Sequence, residues 1–241
     1  DFHFISSKVE VNDNPQSPSY PALPFLSRNI EPGEGGSPFN VPVVWYGRPL
    51  GSEFKSPHSP KDIEQFNFNY SLSFLINKKT DAEISITKSE HSNNHFRPDI
   101  IDSRFLAAIK GNGGPSGNQT WNIFDSNQNS QSLIDFVRGA EVSSKIADLT
   151  SLNGIFNTEI WGLGLAYGFQ LNRESLDINY DEISRAEFDK DGKLLKTADL
   201  FFLGGGINLS KSRNSNAIFF ELEKNAYENL DIRLAARYES M

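Results

Sequence analysis

Cysteine is absent from this chain of 241 residues. That removes disulfides, thiolate catalysis and cysteine-ligated metals. It leaves the compartment open, because oxidising compartments permit disulfides without requiring them. Positive charge is also scarce. Lys and Arg number 23 against 31 Asp and Glu, for a net charge of -8 and a pI of about 5.1. A nucleic-acid partner needs clustered cations, so none is expected. No run approaches the roughly 20 apolar residues of a membrane-spanning helix. A barrel stays open, since its strands need only about 9–11 residues and keep one face polar. The mean hydropathy of -0.46 fits either a soluble domain or a barrel with large loops. No leader pattern opens the chain. Asp1 enters a strand-like run and Met241 follows another, so residues 1–241 are expected to be one segment of a longer protein.

What is present is alternation. From Glu64 to Ile76, Phe66, Phe68, Tyr70, Leu72, Phe74 and Ile76 fall on one face. Gln65, Asn67, Asn69, Ser71 and Ser73 fall on the other. Strand side chains alternate between faces, so one side of this strand must meet an apolar medium. Asn77–Thr80 is a short polar turn, and Asp81–Lys88 returns with Ala82, Ile84 and Ile86 on one face, a hairpin signal. Leu152, Phe156 and Ile160 mark a further strand. Across a tight Trp161-Gly162 connection, Leu163, Leu165, Tyr167, Phe169 and Leu171 mark its partner. Asn216–Glu223 and Leu230–Glu239 form a last pair, and Asp1–Val11 is a weaker strand.

Long loops separate these pairs. The first runs from Asn12 to Lys61 and is crowded with proline and glycine, which excludes a central strand. The second, His91 to Lys145, contains two helix-like pieces at Ile100–Ile109 and Ser132–Val142. The third covers Glu174 to Arg213. Short turns thus alternate strictly with long loops. A sandwich has no reason to sort its connections by length, whereas an outer-membrane barrel has short turns on one side and long loops on the other. Asp231, Arg233, Arg237 and Glu239 share one face of the last strand, where a dry core would be costly and a wet lumen would not. The expected fold is therefore all-β: about seven antiparallel strands of a transmembrane β-barrel, with long outer loops carrying short helices. A soluble sheet with its polar face in water is the alternative.

Three groups of local motifs carry a family resemblance. One is Val44-Trp45-Tyr46-Gly47-Arg48-Pro49-Leu50-Gly51. A second runs through Phe96-Arg97-Pro98-Asp99, Ser103-Arg104-Phe105, Gly113-Gly114-Pro115, Gln119–Asp125 and Ser130–Asp135. The third runs through Tyr180–Ile183, Ala198–Gly206, Ser212-Arg213, Phe219–Leu222 and Leu234–Glu239. In their order between alternating strands, they resemble the barrel region of a TonB-dependent outer-membrane receptor. That resemblance implies an energised importer in the bacterial outer membrane. It has about 22 strands around a plug and is driven through the TonB complex by regions outside this chain. The cargo would be a scarce nutrient such as a siderophore, cobalamin or saccharide. The plug and the TonB box are not in this sequence. A passive porin and a secreted, carbohydrate-binding β-sandwich are the competing readings.

Chemistry-bearing clusters are few. His91 and His95 are four apart, but Asn93 and Asn94 lie between them, so a solvated loop outweighs a metal site. Asp189-Lys190-Asp191-Gly192 lacks the ligands of a calcium loop, since Lys193 falls where the third ligand belongs; a turn tip is expected. Gly204-Gly205-Gly206 lacks the Lys and Ser/Thr of a phosphate loop. No Ser-His-Asp order or paired acid stands out, so neither an enzyme nor a cofactor is expected. The candidate ligand residues are the aromatic and cationic ones of the outer loops: Trp45, Tyr46, Arg48, Arg97, Trp121 and Phe124. Their ring faces and guanidinium groups suit a small organic ligand. The competing expectation is that they pack the loops into a folded cap. Tyr70 and Tyr238 suit an interfacial girdle beside outer-membrane lipid.

Overall fold

The computed structural model describes residues 1–12, 27–47, 49–50, 58–227 and 230–241. Seven strands form one antiparallel sheet: β1 (Phe2–Asn12), β4 (Pro60–Asn77), β5 (Thr80–Ile100), β6 (Arg138–Ile160), β7 (Leu163–Tyr180), β10 (Leu209–Tyr227) and β11 (Leu230–Ser240). They pair in that order, each with its neighbour in sequence among the long strands. Two ribbons stand apart: β2 (Ser27–Ile30) with β3 (Val43–Tyr46), and β8 (Glu187–Phe188) with β9 (Leu194–Lys196). Helices α1 (Asp102–Ile109) and α2 (Gln131–Val137) lie between β5 and β6. Strand makes up 64 % of the chain and helix 8 %, which fixes the class as all-β.

The register unites the separately predicted apolar faces. One row of cross-strand partners reads Leu72, Ile84, Gly154, Phe169, Ile218, Tyr238. The next reads Phe74, Ala82, Phe156, Tyr167, Phe220, Ala236. Directly opposed residues share a face, so these rows lie on the same side of the sheet. Phe169 lies over Gly154, where an added Cβ would come within 2.4 Å of its ring. Phe156 and Tyr167 stack at 5.2 Å. On the opposite side, a row of Asn69, Thr87, Ser151, Asn172 and Ser215 is stitched by side-chain hydrogen bonds. Asn69 donates to Thr87 at 2.8 Å, Ser151 to Asn172 at 2.7 Å and Asn172 to Ser215 at 3.3 Å.

Both described turns follow from local chemistry. Asn77 and Thr80 pair across Lys78-Lys79, with a bulge at Leu75–Asn77. Trp161 and Gly162 both have positive φ, 52° and 69°. A two-residue hairpin whose twist matches its strands needs that conformation, and glycine adopts it without strain. The turn tip leaves the Trp161 side chain 92 % exposed.

Strands run further than their alternation. β5 continues through His91, Asn93, His95 and Arg97 to Ile100, and β6 already begins at Arg138. β7 reaches Tyr180 and β10 starts at Leu209. The expected loops at 91–145 and 174–213 therefore shrink by 18 and 12 residues at their ends. Most of these extensions are polar on both faces, so no period of two marks them, although Leu176, Ile178 and Tyr180 alternate with polar residues at the end of β7. The first loop is corrected as well: β2 and β3 lie within it, with Ile30, Val43 and Trp45 turned inward. Pro15, Pro18, Pro21 and Pro24 lie outside the described residues. Helix α2 ends at Val137 rather than running to Val142, because the chain turns extended at Arg138.

The buried core does not rest on the sheet. Ile30, Phe105, Trp121, Leu133, Val137 and Phe201 are among its members, drawn from β2, the helices and the loops at the long-loop end, with Ile100 joining from the tip of β5. Phe105 sits centrally, edge-on to Trp121 at 5.8 Å and to Phe201 at 5.6 Å. Ser130 caps α2 by accepting from the Leu133 N–H. Helix α1 has no side-chain cap of its own. Asp199, from a distant loop, accepts from the Ser103 N–H and hydroxyl instead, satisfying a donor that the helix cannot.

Candidate functional site

The six candidate ligand residues do not form one surface. Trp121 is fully buried, and its indole N–H has no hydrogen-bond partner among the described residues. Trp45 turns inward on β3 and packs on Phe105 at 5.9 Å and Phe201 at 6.4 Å. These two tryptophans build the cap, so Trp121 has no area to offer a ligand. Tyr46, the next residue on β3, points outward and is 54 % exposed. Phe124 is exposed too and meets Phe39 edge-on at 5.9 Å. Arg48 lies outside the described residues. Arg97 belongs to β5 rather than to a loop, and its guanidinium donates to Glu141 at 3.0 Å. Of the six candidates, Tyr46 and Phe124 remain as exposed aromatic groups on the cap.

A pair of buried carboxylates fastens the cap to the sheet. Asp99, at the loop end of β5, accepts from the backbone N–H groups of Ile100, Phe202 and Leu203 at 2.7, 3.0 and 2.7 Å. Glu141, on β6, accepts from the Gly205 N–H at 3.1 Å while holding Arg97. Gly205 therefore presents its N–H to a carboxylate and not to a phosphate. Burial pushes the Asp99 carboxyl up to about 6, against the opposing pull of its three N–H donors. Arg28 adds a cation over the Phe201 ring, 4.6 Å from its centre, and pairs with Asp102.

The remaining histidine and glycine motifs also find places. His91 and His95 share the polar face of β5, and the His95 ring is 3.0 Å from the Ser59 hydroxyl. Among the described residues no group of three metal-binding side chains is assembled. Asp189 accepts from the Asp191 and Lys193 N–H groups, the geometry of the expected turn tip between β8 and β9.

Sequence reasoning missed a cavity of about 480 Å³ on the polar face of the sheet. Two rows enclose it. One carries His91, Ala147, Leu176 and Lys211, and the next carries Ser89, Leu149, Glu174 and Arg213. The intervening row, with Glu90 and Asp148, turns its side chains to the other face by alternation. Arg213 and Glu174 pair at 2.7 Å. His91 and Lys211 fell in segments without a period of two, and four strands must come into register before these residues meet.

No family model, curated protein or solved structure matches this chain.

Proposed function

We propose that this chain is part of the wall of a TonB-dependent outer-membrane receptor, a transporter that takes up a scarce nutrient. One observation carries the reading: an exposed apolar belt that crosses the whole sheet. Phe2 is 62 % exposed at one edge, Ile218 62 % on β10, and Leu234 57 % and Tyr238 69 % at the other edge. No described element covers these side chains. On β4 the belt spans Phe66 to Ile76. At about 3.3 Å per residue and a tilt of about 40°, that gives roughly 25 Å, the height of the apolar band on outer-membrane barrels. Charge bounds it on both sides. Lys88 and Asp148, which pair at 2.8 Å on the rows of Phe68 and Phe66, end the belt sooner on β5 and β6 than on β4, and the Lys78-Lys79 turn closes the other end.

The opposite face supports a wet lumen. Its amides and hydroxyls satisfy one another along rows, and its charges pair: Arg233 with Glu223 at 2.9 Å, and Arg237 with Glu239 at 3.2 Å. A β-sandwich would need a second sheet over the belt, and the two ribbons of the described residues are far too small. The order of the three motif groups favours an energised receptor over a passive porin, and a plug sequence upstream in the complete chain would reject the porin. In this reading Tyr46 and Phe124 on the cap meet the incoming ligand first, lipid surrounds the belt, and TonB acts through regions outside this chain.

The test is fractionation of the full-length parent protein, followed by gel mobility in detergent before and after boiling. An outer-membrane band that migrates compactly until boiled, together with ligand uptake lost without TonB, supports the reading. A protein that stays in solution without detergent would end it.

A further inference from the structure

The cavity on the polar face has a composition unlike its surroundings. Next to it that face carries Asn, Ser and Thr, and towards the short turns it carries Glu83, Glu223 and Arg233. Here the floor is Ala147, Leu149 and Leu176, and Leu176 is 39 % exposed. Cations gather at the same height. Across three successive rows of this face the charged side chains are Lys145, Lys211 and Arg213 against the single carboxylate of Glu174. Glu174 is already held by Arg213, and no described carboxylate pairs with Lys145 or Lys211. In a chain of net charge -8 this local excess is directional. An apolar floor with a few convergent polar groups, in a volume of about 480 Å³, is the composition of a small-molecule site.

We propose that this cavity binds a small organic anion with a flat apolar body. The body lies over Leu149 and Leu176. The charged group meets the Lys211 ammonium, and Lys145 and Arg213 reinforce the field around it. His91 walls the far side, where its ring offers one edge to the body of the ligand. Charge supplies the selection, because only an anion gains the attraction of the three cations. The site stands whether or not the opposite face meets lipid, so it goes beyond the transport reading.

The probe is 2-naphthoate, titrated calorimetrically into the full-length protein against matched detergent blanks. Its neutral counterpart 2-naphthylmethanol and the small anion acetate serve as comparisons. Naphthoate is expected to bind, with the alcohol about tenfold weaker and acetate giving no heat. Lys211→Gln and Leu176→Gln should each weaken naphthoate about five- to tenfold, and added salt should weaken it further. Both residues lie on the surface, so both variants are expected to fold. Equal binding of naphthoate and the alcohol, affinity unchanged in both variants, or no binding of naphthoate would each overturn the proposal.

Discussion

Asp99 offers a sharp test of how the cap is fastened. It lies at the loop end of β5, well outside the apolar belt, and is only 5 % exposed. Burial outweighs its three N–H donors and moves the carboxyl from 3.8 to about 6, with nearby Glu141 adding to the rise. The folded chain therefore holds this proton more tightly than the unfolded chain does. Its contribution to stability is full below about pH 4 and is lost as the pH rises through about 6. A shift of that size corresponds to about 3 kcal/mol. Protection of the Phe202 and Leu203 amides against hydrogen exchange, corrected for intrinsic rates, should thus fall by up to about a hundredfold between pH 4 and 7. Asp99→Asn removes the titrating group and should flatten that profile. Asp99→Ala strands the two loop N–H groups, at about 1–3 kcal/mol each, and should expose residues 201–206 to proteolysis. Flat protection in the unaltered protein, or an unchanged slope in Asp99→Asn, would refute the reasoning.

Three further expectations concern the fold. Ile218→Arg or Leu72→Arg places a charge in mid-belt and should cost roughly 2–4 kcal/mol of folding in a bilayer, read by urea titration in lipid vesicles. Phe68 is the weaker position for that test, because it sits opposite Lys88 at the edge of the belt. Gly154→Val would push into the Phe169 ring and should lower stability in the same titration by about 1–3 kcal/mol. Trp121→Ala empties the centre of the cap and should cost about 3–5 kcal/mol. Trp121→Phe should cost much less, because it also removes the unpaired indole N–H; differential proteolysis of the cap reads both.

The sheet was legible where one face is apolar and the other polar, which imposes a period of two. Glu64–Ile76, Leu163–Leu171 and Leu230–Glu239 alternate because one face is apolar, apart from Glu64 at the start of the first, and each proved to lie within a longer strand. Above the belt both faces are mostly polar, so Ser89–Ile100 and Leu209–Ser215 carry no period, and only pairing with a neighbour makes them strands. The cap was half legible. Ile101, Phe105 and Ala108 announced α1 by their spacing, yet nothing local separates the buried Trp121 from the exposed Phe124. That difference arises from which ring reaches Phe105. Arg97 illustrates the same limit. Read as a loop cation, it is a strand residue whose charge is taken by Glu141, a partner 44 residues away.

The central claim is that the two faces of one sheet meet lipid and water, and the cysteine-free chain makes a direct measurement simple. Single cysteines replacing Leu72, Ile218 and Leu234 on one face, and Asn69, Asn172 and Ser215 on the other, can each carry a spin label in the full-length protein in its membrane. The account expects the first three labels to collide with oxygen dissolved in the bilayer and to be shielded from a water-soluble nickel chelate. The second three should show the reverse. Labels on Leu72 and Ile218 that are as open to the chelate as those on Asn69 and Asn172 would contradict it.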